Sequence, residues 1–410
     1  MKHAGGALCL IAAVGCAEPI DFGVDESEVM GGSAATAGKW PDVAAVMFNG
    51  SQGCTGTLIA PTVALTAGHC NDTSLRSILV GTTSLARPAE GETLMVKQRF
   101  EYPQSQATYD ITVLTLTTAS TKTPRPIATG WARFDIKNGA PVAIVGYGAV
   151  DRNASTYIDD LQEAMTTITD FDCTEKPGCV AGIAPAAELG AGGMGIDTCP
   201  GDSGGPLYTV TEYGSFLAGV TSRAYDDATY PCTDGGIYVR PDKIIDWIEM
   251  VAGVPVAKGP TPTAAAITVV KGNGAETQIT HNDPKSQQHT YSIKAAPTHG
   301  TAHVRDDGLV KVCAAADATG ADSLTVTVTD SVDPTRALDV KIAITIEDGV
   351  PAASCDPTDM TPPPGEDPPP DDDGDVEEPS GCCDTRGRAS GSSLVLALCV
   401  LGVLRRRRRR

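Results

Sequence analysis

Ser203 lies in DTCPGDSGGP, residues 197–206, a stretch dense in residues that resist regular structure. Glycine and proline in this stretch argue against a helix or a plain strand interior. A tight, irregular turn is left, and such a turn can present a side chain and several backbone N–H groups at one point. The same sequence would also suit a surface turn that carries a hydroxyl without any catalytic role, so this motif alone does not identify an active site.

A serine hydroxyl is too weakly acidic to attack a carbonyl group unaided, so a neighbouring base must take its proton. His69 is the candidate base, since it lies in TAGHC, residues 66–70, after an apolar run typical of a strand. A lone histidine is more often structural. The assignment therefore depends on whether further motifs occur in a consistent order.

The TAGHC phrase resembles the TAAHC motif of the trypsin/chymotrypsin family of serine peptidases. That resemblance implies a third residue, a buried aspartate before an apolar strand, and YDITVLTL supplies Asp110. The order His69, Asp110, Ser203, with gaps of 41 and 93 residues, suits the family. The resemblance covers residues 29–253, and its motifs agree in order and spacing.

By this resemblance, Ser203 is the nucleophile, His69 is the general base and then the general acid, and Asp110 fixes the imidazole tautomer. The backbone N–H groups of Gly201 and Ser203 are expected to form the oxyanion hole. A side chain in place of the glycine would obstruct the approach of the substrate carbonyl. The expected reaction is peptide-bond hydrolysis through an acyl-enzyme.

Asp197 lies six residues before Ser203, where the family has the floor of its primary specificity pocket. A carboxylate there would select arginine or lysine side chains of the substrate through a charge-assisted pair. The alternative is a solvated loop acid, and the register fixed by Cys199 favours the pocket. The same resemblance assigns Ser222 and Gly236 to this pocket, which the glycine keeps open.

Two places depart from the family pattern. Arg223 and Ala224 stand where the family usually has Trp-Gly, and Pro200 is unusual beside the oxyanion hole. We expect these changes to alter the pairing of the substrate strand or to narrow the mouth of the pocket.

VMGG, residues 29–32, resembles the IVGG that becomes the new N-terminus when enzymes of this family are activated by cleavage. The resemblance implies that the α-amino group of Val29 inserts beside Asp202 and orders the pocket and oxyanion hole. Glu28, not arginine or lysine, precedes the expected cut. We therefore expect an activating protease that tolerates glutamate rather than self-activation.

Cysteine is abundant, with thirteen residues, of which Cys9, Cys16 and Cys399 lie in terminal targeting segments. The ten others indicate an oxidising compartment. The resemblance implies three disulfides in the peptidase region: Cys54–Cys70, Cys173–Cys179 and Cys199–Cys232. A pair between Cys313 and Cys355 is a guess across the second domain.

The 410-residue chain is long enough for two or more domains, and its formal net charge of −20 argues against nucleic acid as a partner. Short apolar runs broken by turn residues fill residues 29–253, which predicts an all-β fold. The resemblance makes this a chymotrypsin-like double β-barrel. PDKIIDWIEMVAG closes the stretch as a C-terminal helix, with proline near its start and glycine at its end.

Residues 254–264 read as a linker, and residues 265–348 alternate between apolar and polar side chains with period two. This alternation predicts a small antiparallel β-sandwich, and the segment resembles the cadherin-like and Ig-like modules of bacterial surface proteins. Such a module could bind carbohydrate, protein or nothing, or serve as a spacer. Residues 349–381 are rich in proline and aspartate, which predicts a disordered stalk.

The N-terminal residues 1–16 look like an export signal, with a basic start and a short apolar run. The letters before Cys16 also resemble a bacterial lipobox, so lipidation of Cys16 and simple secretion both stay open. Residues 17–28 are the expected activation propeptide. Metabolic labelling with a fatty acid distinguishes the two alternatives.

The C-terminal residues 382–410 combine a cysteine motif, a short apolar run and an arginine cluster. They resemble the MYXO-CTERM type of bacterial sorting tail, which is removed during transfer to the cell surface. A plain membrane anchor is the alternative, although the apolar run is shorter than a comfortable membrane span.

Together these features predict a secreted or bacterial cell-surface serine endopeptidase. Its expected partners are protein or peptide substrates, an activating protease, and the envelope membrane through the terminal segments. No metal or other cofactor is expected, because no histidine-rich ligand spacing occurs. The alternative is a catalytically inactive homologue that acts as a surface adhesin through residues 265–348.

Overall fold

The structure is a computed structural model that describes residues 29, 31–103, 109–180, 188–352 and 354–362. After the two-residue strand β1 (Ser33–Ala34), six strands close into the first barrel in the order β2-β3-β4-β7-β6-β5. They are β2 (Val43–Phe48), β3 (Ser51–Ala60), β4 (Val63–Thr66), β5 (Leu75–Val80), β6 (Glu92–Glu101) and β7 (Thr112–Leu116). Every residue of β4 is buried, because this strand passes through the barrel wall beside its core.

The second barrel has six strands in the closed order β8-β9-β10-β13-β12-β11, and β1 extends it by pairing with β9. They are β8 (Pro141–Gly146), β9 (Gln162–Asp170), β10 (Glu188–Ala191), β11 (Pro206–Thr211), β12 (Gly214–Ala224) and β13 (Gly236–Val239). Helix α1 (Ile245–Ala252) follows and ends at Gly253, whose φ of 69° is a left-handed conformation that favours glycine.

Four 3₁₀ segments connect these strands: Gly68–Cys70, Pro88–Glu90, Gly130–Asp135 and Pro241–Lys243. The third of them lies between the two barrels in the sequence. The first carries the candidate base, directly after β4.

A two-sheet sandwich follows the peptidase-like part of the chain. One sheet has the order β14-β20-β19-β16 and the other β15-β18-β17. The strands are β14 (Ile267–Val270), β15 (Gly274–Gln278), β16 (His289–Ala295), β17 (Gly300–Val304), β18 (Leu309–Ala314), β19 (Gly320–Asp330) and β20 (Ala337–Glu347). The predicted alternation is visible in β19, where Leu324, Val326 and Val328 are fully buried. Two barrels with one short helix and this sandwich confirm the predicted all-β fold class.

The two barrels are joined by a buried polar cluster. The Asp42 carboxylate is fully buried and accepts a 2.6 Å hydrogen bond from Nη2 of Arg125. It also accepts the hydroxyl of Tyr208 on β11, and the Tyr208 ring stacks on Trp40 with centroids 4.8 Å apart. Because Arg125 and Tyr208 share this one buried carboxylate, removal of Asp42 would deprive both of their common partner.

The segment predicted as a linker, residues 254–264, is hydrogen-bonded along its length to the peptidase part of the chain. The N–H of Ala257 donates to the carbonyl of Ile59, and the carbonyl of Ala257 accepts the N–H of Ile127. Farther on, the carbonyl of Pro260 accepts the N–H of Trp131. A backbone held in this way does not behave as a free tether.

Four disulfides are present among the described residues: Cys54–Cys70, Cys173–Cys179, Cys199–Cys232 and Cys313–Cys355. The predicted export signal, propeptide and sorting tail, and most of the predicted stalk, lie outside the described residues. No helix in the described part of the chain has the length and apolar character needed to span a bilayer.

Candidate active site

His69 and Asp110 are joined at two points. The backbone N–H of His69 donates to Oδ1 of Asp110, and Nδ1 of the ring lies 2.8 Å from Oδ2. Because a carboxylate only accepts, Nδ1 must carry the hydrogen, which leaves Nε2 of the neutral ring free to take a proton. Asp110 lies two residues before β7 and is 9% exposed.

The hydroxyl of Ser222, which the sequence assigns to the specificity pocket, donates to Oδ2 of Asp110 at 2.7 Å. The Ser222 side chain therefore supports the acid, and the assignment of Ser222 to the pocket stays a prediction. Burial alone would raise the pKa of Asp110, but the hydrogen bonds from His69 and Ser222 hold the pKa below its ordinary value. The carboxylate therefore stays ionised.

Ser203 sits on a loop fixed by both barrels. Its carbonyl accepts the N–H of Thr55 on β3, and the next residue, Gly204, donates its N–H to the carbonyl of Thr221 on β12. A Cβ on Gly204 would lie 2.1 Å from Oγ1 of Thr66, so only glycine fits so close to the strand before His69. The Ser203 hydroxyl itself makes no hydrogen bond within the described part of the chain.

The backbone of residues 199–205 leaves two donors unused. The N–H groups of four residues of this loop are hydrogen-bonded, and Pro200 has none; the four are Cys199, Asp202, Gly204 and Gly205. Among the described residues, only the N–H groups of Gly201 and Ser203 in this loop have no acceptor. These are the two donors that the family resemblance assigns to an oxyanion hole.

The orientation of the Gly201 donor follows from peptide geometry. The carbonyl of Pro200 accepts the N–H of Ala149 at 2.9 Å. In a planar trans peptide, the N–H of Gly201 must then point in the opposite direction. Gly201 has φ of 101°, and a Cβ there would lie 2.9 Å from Cα of Gly148, so the requirement for glycine comes from the loop as well as from the expected approach of a substrate.

Two side chains that sequence reasoning missed hold this loop from the other side. Oγ1 of Thr55 and Nε2 of Gln52 both donate to the carbonyl of Gly201, at 2.9 and 3.0 Å. Both residues lie on β3, more than 140 positions away along the chain. No local pattern could identify them, because their role depends on how the two barrels pack.

Asp202 is buried and accepts the N–H of Gly148 at 2.7 Å and of Cys199 at 2.9 Å. Burial raises the pKa of this carboxyl to about 7, and the nearby charge of Asp197 acts in the same direction. Val29 is buried among the apolar side chains of the second barrel. Glu28 lies outside the described residues.

Asp197 is also buried, and its carboxylate accepts three backbone N–H groups, from Thr198, Thr233 and Gly235. Burial raises its pKa to about 6. A Cβ on Gly236 would lie 3.5 Å from Oδ1 of Asp197, so the predicted pocket residues Asp197 and Gly236 are neighbours. A buried carboxylate that has no cation beside it in the described part of the chain is suited to a cationic ligand.

Arg223, the departure noted in the sequence, forms a two-point ion pair with Glu188. Nη1 and Nη2 lie 2.7 and 2.8 Å from the two carboxylate oxygens, and Nη2 also donates to the carbonyl of Gly178. Nη1 is 3.2 Å from the Ser222 hydroxyl. Glu188 is 1% exposed, and sequence reasoning missed it because a single glutamate in a strand carries no pattern.

Two groups of closely spaced potential ligands occur among the described residues, and each contains a disulfide: Cys54, His69 and Cys70, and Cys173, Cys179 and Glu188. A disulfide sulfur is not a thiolate, and thiolate is the form in which cysteine binds metals. The donor sets therefore suit a metal poorly. The described residues instead offer an imidazole held by a carboxylate, a serine hydroxyl and two backbone N–H groups without an acceptor, which are groups that acyl transfer uses.

Comparison with known proteins agrees with this chemistry. The model of the family described as Trypsin matches residues 29–248, more than half of the chain, and that of the family described as Bacterial Ig domain matches residues 255–343. Serine protease 56 of Mus musculus is 32% identical over 248 residues, which cover 57% of this chain and 40% of that protein. Trypsin delta of Drosophila melanogaster is 27% identical over 230 residues, which cover 54% of this chain and 88% of that protein. The chain thus spans less than half the length of the first relative.

The Ser222 hydrogen bond generates a prediction. Ser222→Ala removes one donor from the ionised Asp110, and a hydrogen bond to a charged group contributes about 1.5–3 kcal/mol. We therefore expect a serine-reactive phosphonate to label Ser203 about 10- to 100-fold more slowly in this variant. Ser215→Ala, on the same strand but outside the site, is the matched control and should label at the wild-type rate. Equal rates for both variants would contradict a positioning role for Ser222.

Proposed function

Since this chain belongs to the trypsin family of serine peptidases, we propose that it is an exported serine endopeptidase that cleaves protein or peptide substrates after arginine or lysine. The proposal is carried by two observations: Ser203 shares one loop with two N–H groups that have no acceptor among the described residues, and His69 is held at two points by a buried carboxylate. Binding alone does not require this arrangement, whereas acyl transfer does.

In the proposed acylation step, Nε2 of His69 takes the hydroxyl proton of Ser203 as Oγ bonds to the scissile carbonyl carbon. The carbonyl oxygen becomes negative and is stabilised by the N–H groups of Gly201 and Ser203. The imidazolium, stabilised by Asp110, then protonates the leaving amine as the C–N bond breaks. Water repeats the sequence on the ester, with His69 again as the base, and Ser203 regains its proton.

For substrate preference, we propose that Asp197 is the floor of the primary pocket, with Gly236 beside it. The preference for arginine or lysine is supported by the burial of the Asp197 carboxylate among backbone N–H groups, with no side-chain cation paired to it where the chain is described. Ser222 stays assigned to this pocket in the proposal, and its hydroxyl also supports Asp110. Arg223 stands where the family usually has tryptophan, and its positive charge is neutralised by the ion pair with Glu188.

For activation, we propose cleavage between Glu28 and Val29, after which the new α-ammonium group pairs with Asp202. The proposal is supported by the buried Asp202 carboxylate, whose two oxygens accept N–H groups but have no cation beside them among the described residues. Pairing would remove the energetic penalty of this buried charge. The activating protease would have to accept glutamate before the cut.

Export is supported by the four disulfides, which are typical of oxidising compartments. We propose the signal peptide, the propeptide and the sorting tail as predicted from the sequence, with the envelope membrane contacted through the terminal segments. The domain limits 29–253 and 265–348 remain part of this proposal. Whether the mature enzyme stays at the cell surface or is released depends on the tail and on Cys16.

Ser203→Ala tests the function. Loss of the nucleophile should lower turnover of peptide amides on the order of 10⁴-fold or more and abolish labelling by a serine-reactive phosphonate. Ser215→Ala is the control for fold and expression. If the purified mature chain neither cleaves a peptide library nor reacts with the probe, the inactive-adhesin alternative replaces the enzyme proposal.

Asp197→Asn tests the substrate class, because it removes the charge and nearly preserves the shape. We expect kcat/KM for arginine and lysine amides to fall about 10²- to 10³-fold, as for loss of one partner of a buried charge pair. Phosphonate labelling should persist, since the triad is untouched. The wild-type free enzyme should also lose its preference for cationic side chains as pH falls below about 6, where Asp197 becomes protonated. Cleavage of only uncharged residues by the wild type would exclude this pocket assignment.

The raised pKa of Asp202 tests the activation proposal. While Val29 is still linked to Glu28, the folded pKa of about 7 lies above the ordinary value of 3.8. Because the folded state binds this proton more tightly than the unfolded state, protonation of Asp202 adds to the free energy of unfolding. This contribution is complete below about pH 4 and is lost as pH rises through 7. In the uncleaved Ser203→Ala chain, the free energy of unfolding in urea should therefore decline over this range.

Asp202→Asn should abolish most of that decline, with Asp246→Asn on the exposed face of α1 as the control. Cleavage before Val29 should abolish it too, because an ammonium group beside the carboxylate lowers its pKa. Titration of Asp197 also lowers the free energy of unfolding as pH rises to about 6, in the cleaved and the uncleaved chain alike. The two chains are therefore compared above pH 6. A mature N-terminus at another residue, found by mass spectrometry, would rule out the proposed cut.

A further inference from the structure

The 3₁₀ segment Gly130–Asp135 divides its side chains between two hydrophobic cores. Ala132 and the following Ile136 pack in the core of the second barrel. Trp131, which is fully buried, instead belongs to the core of the Ig-like sandwich, and Phe134 packs against that core as well. One short segment of the peptidase part of the chain thus contributes side chains to the cores of two domains.

Polar contacts hold Trp131 in this position. Its indole N–H donates to the carbonyl of His281 at 2.6 Å, and its ring lies 5.5 Å from the ring of His289. Its backbone N–H donates to the carbonyl of Pro260. At the preceding residue, Gly130, a Cβ would lie 2.1 Å from the same carbonyl oxygen, so the backbones are in direct contact.

A buried charge cluster closes the contact. Arg336 of the sandwich is 6% exposed, and its guanidinium lies over the rings of Trp131 and Phe134, 5.7 and 5.4 Å from their centroids. It pairs with Asp283 at 3.1 Å within the sandwich and approaches Asp135 of the 3₁₀ segment at 4.0 Å.

Asp135 also accepts the side chain of Lys285 from the sandwich and the hydroxyl of Tyr213 from the turn between β11 and β12. The charges on the two sides of the contact are complementary, and loss of the sandwich side would leave the buried Asp135 without the two cations beside it.

From these contacts we infer that the Ig-like sandwich is a structural part of the peptidase: it covers the Trp131 face of the second barrel and stabilises that barrel. Residues 265–348 then act as an internal support for the site-bearing barrel. A separate binding module on a free linker would leave Trp131 and Phe134 exposed. Unfolding of the sandwich would expose both rings and leave Asp135 without its cations, so the two domains should lose structure together.

Ile344→Ala in the full-length Ser203→Ala chain tests this inference. Ile344 is buried in the sandwich core and lies seven residues along β20 from Ala337, whose carbonyl accepts Arg133 of the shared segment. At about 3.3 Å per residue, this distance keeps the substitution away from the contact. We expect a single thermal transition, lowered on the order of 5 °C, and faster hydrogen exchange in β11 and β12 as well as in the sandwich.

Val332→Ala is the matched control, because Val332 is an apolar residue of the same sandwich that is 77% exposed, and it should change neither measurement. Adding Trp131→Ala to the Ile344→Ala chain should separate the transition into two and restore slow exchange in β11 and β12 relative to the sandwich. If Trp131→Ala does not fold, Lys285→Ala weakens the same contact at a partly exposed position and should reduce the coupling in the same direction.

Two independent transitions in the Ser203→Ala chain would overturn the inference. So would Ile344→Ala acting on the exchange of the sandwich alone. Hydrogen exchange requires no catalysis, so this result is independent of whether the proposed peptidase activity is found.

Discussion

The candidate site depends on one constraint: the loop that carries Ser203 is hydrogen-bonded to both barrels at adjacent residues. The carbonyl of Ser203 is held by Thr55 of the first barrel, and the N–H of Gly204 is held by Thr221 of the second. The loop therefore has its geometry only when the barrels are correctly packed. The buried cluster around Asp42, which takes hydrogen bonds from both sides of the barrel junction, fixes that packing.

The same loop concentrates two acids in a region with little solvent. Asp197 and Asp202 are both buried, both are surrounded by backbone N–H groups, and both have pKa values raised by burial. Backbone dipoles alone do not fully offset the desolvation of a carboxylate. In the proposed mechanism, each acid gains a cation at a defined moment, Asp202 when the chain is cleaved and Asp197 when substrate binds. The residual penalty makes both events favourable, which links maturation and substrate selection to the same physical cause.

Sequence reasoning predicted the all-β fold class from turn residues and period-two patterns, and it proposed His69, Asp110 and Ser203 as a triad, which stays a prediction. These features are local, or they are carried by motifs with characteristic order. Gln52, Thr55 and Glu188 were not predicted, because their contacts arise from packing between strands distant in sequence. The hydrogen bond from the Ser222 hydroxyl to the Asp110 carboxylate was not predicted either, because it depends on the direction of a side chain.

The segment around Trp131 shows the same limit at the level of domains. Its sequence, GWARFD, has neither strand nor helix periodicity, because its side chains are divided between two hydrophobic cores. The sequence pattern therefore does not reveal that the segment packs in either core. The residues 254–264 likewise have linker composition, yet their backbone is bonded to the barrels. The second barrel supplies Ser222, Gly236 and the loop with Ser203, and the Trp131 segment packs against its core. Support for that barrel from the sandwich therefore acts on the site through the packing of the barrel itself, without any contact between the sandwich and the reacting groups.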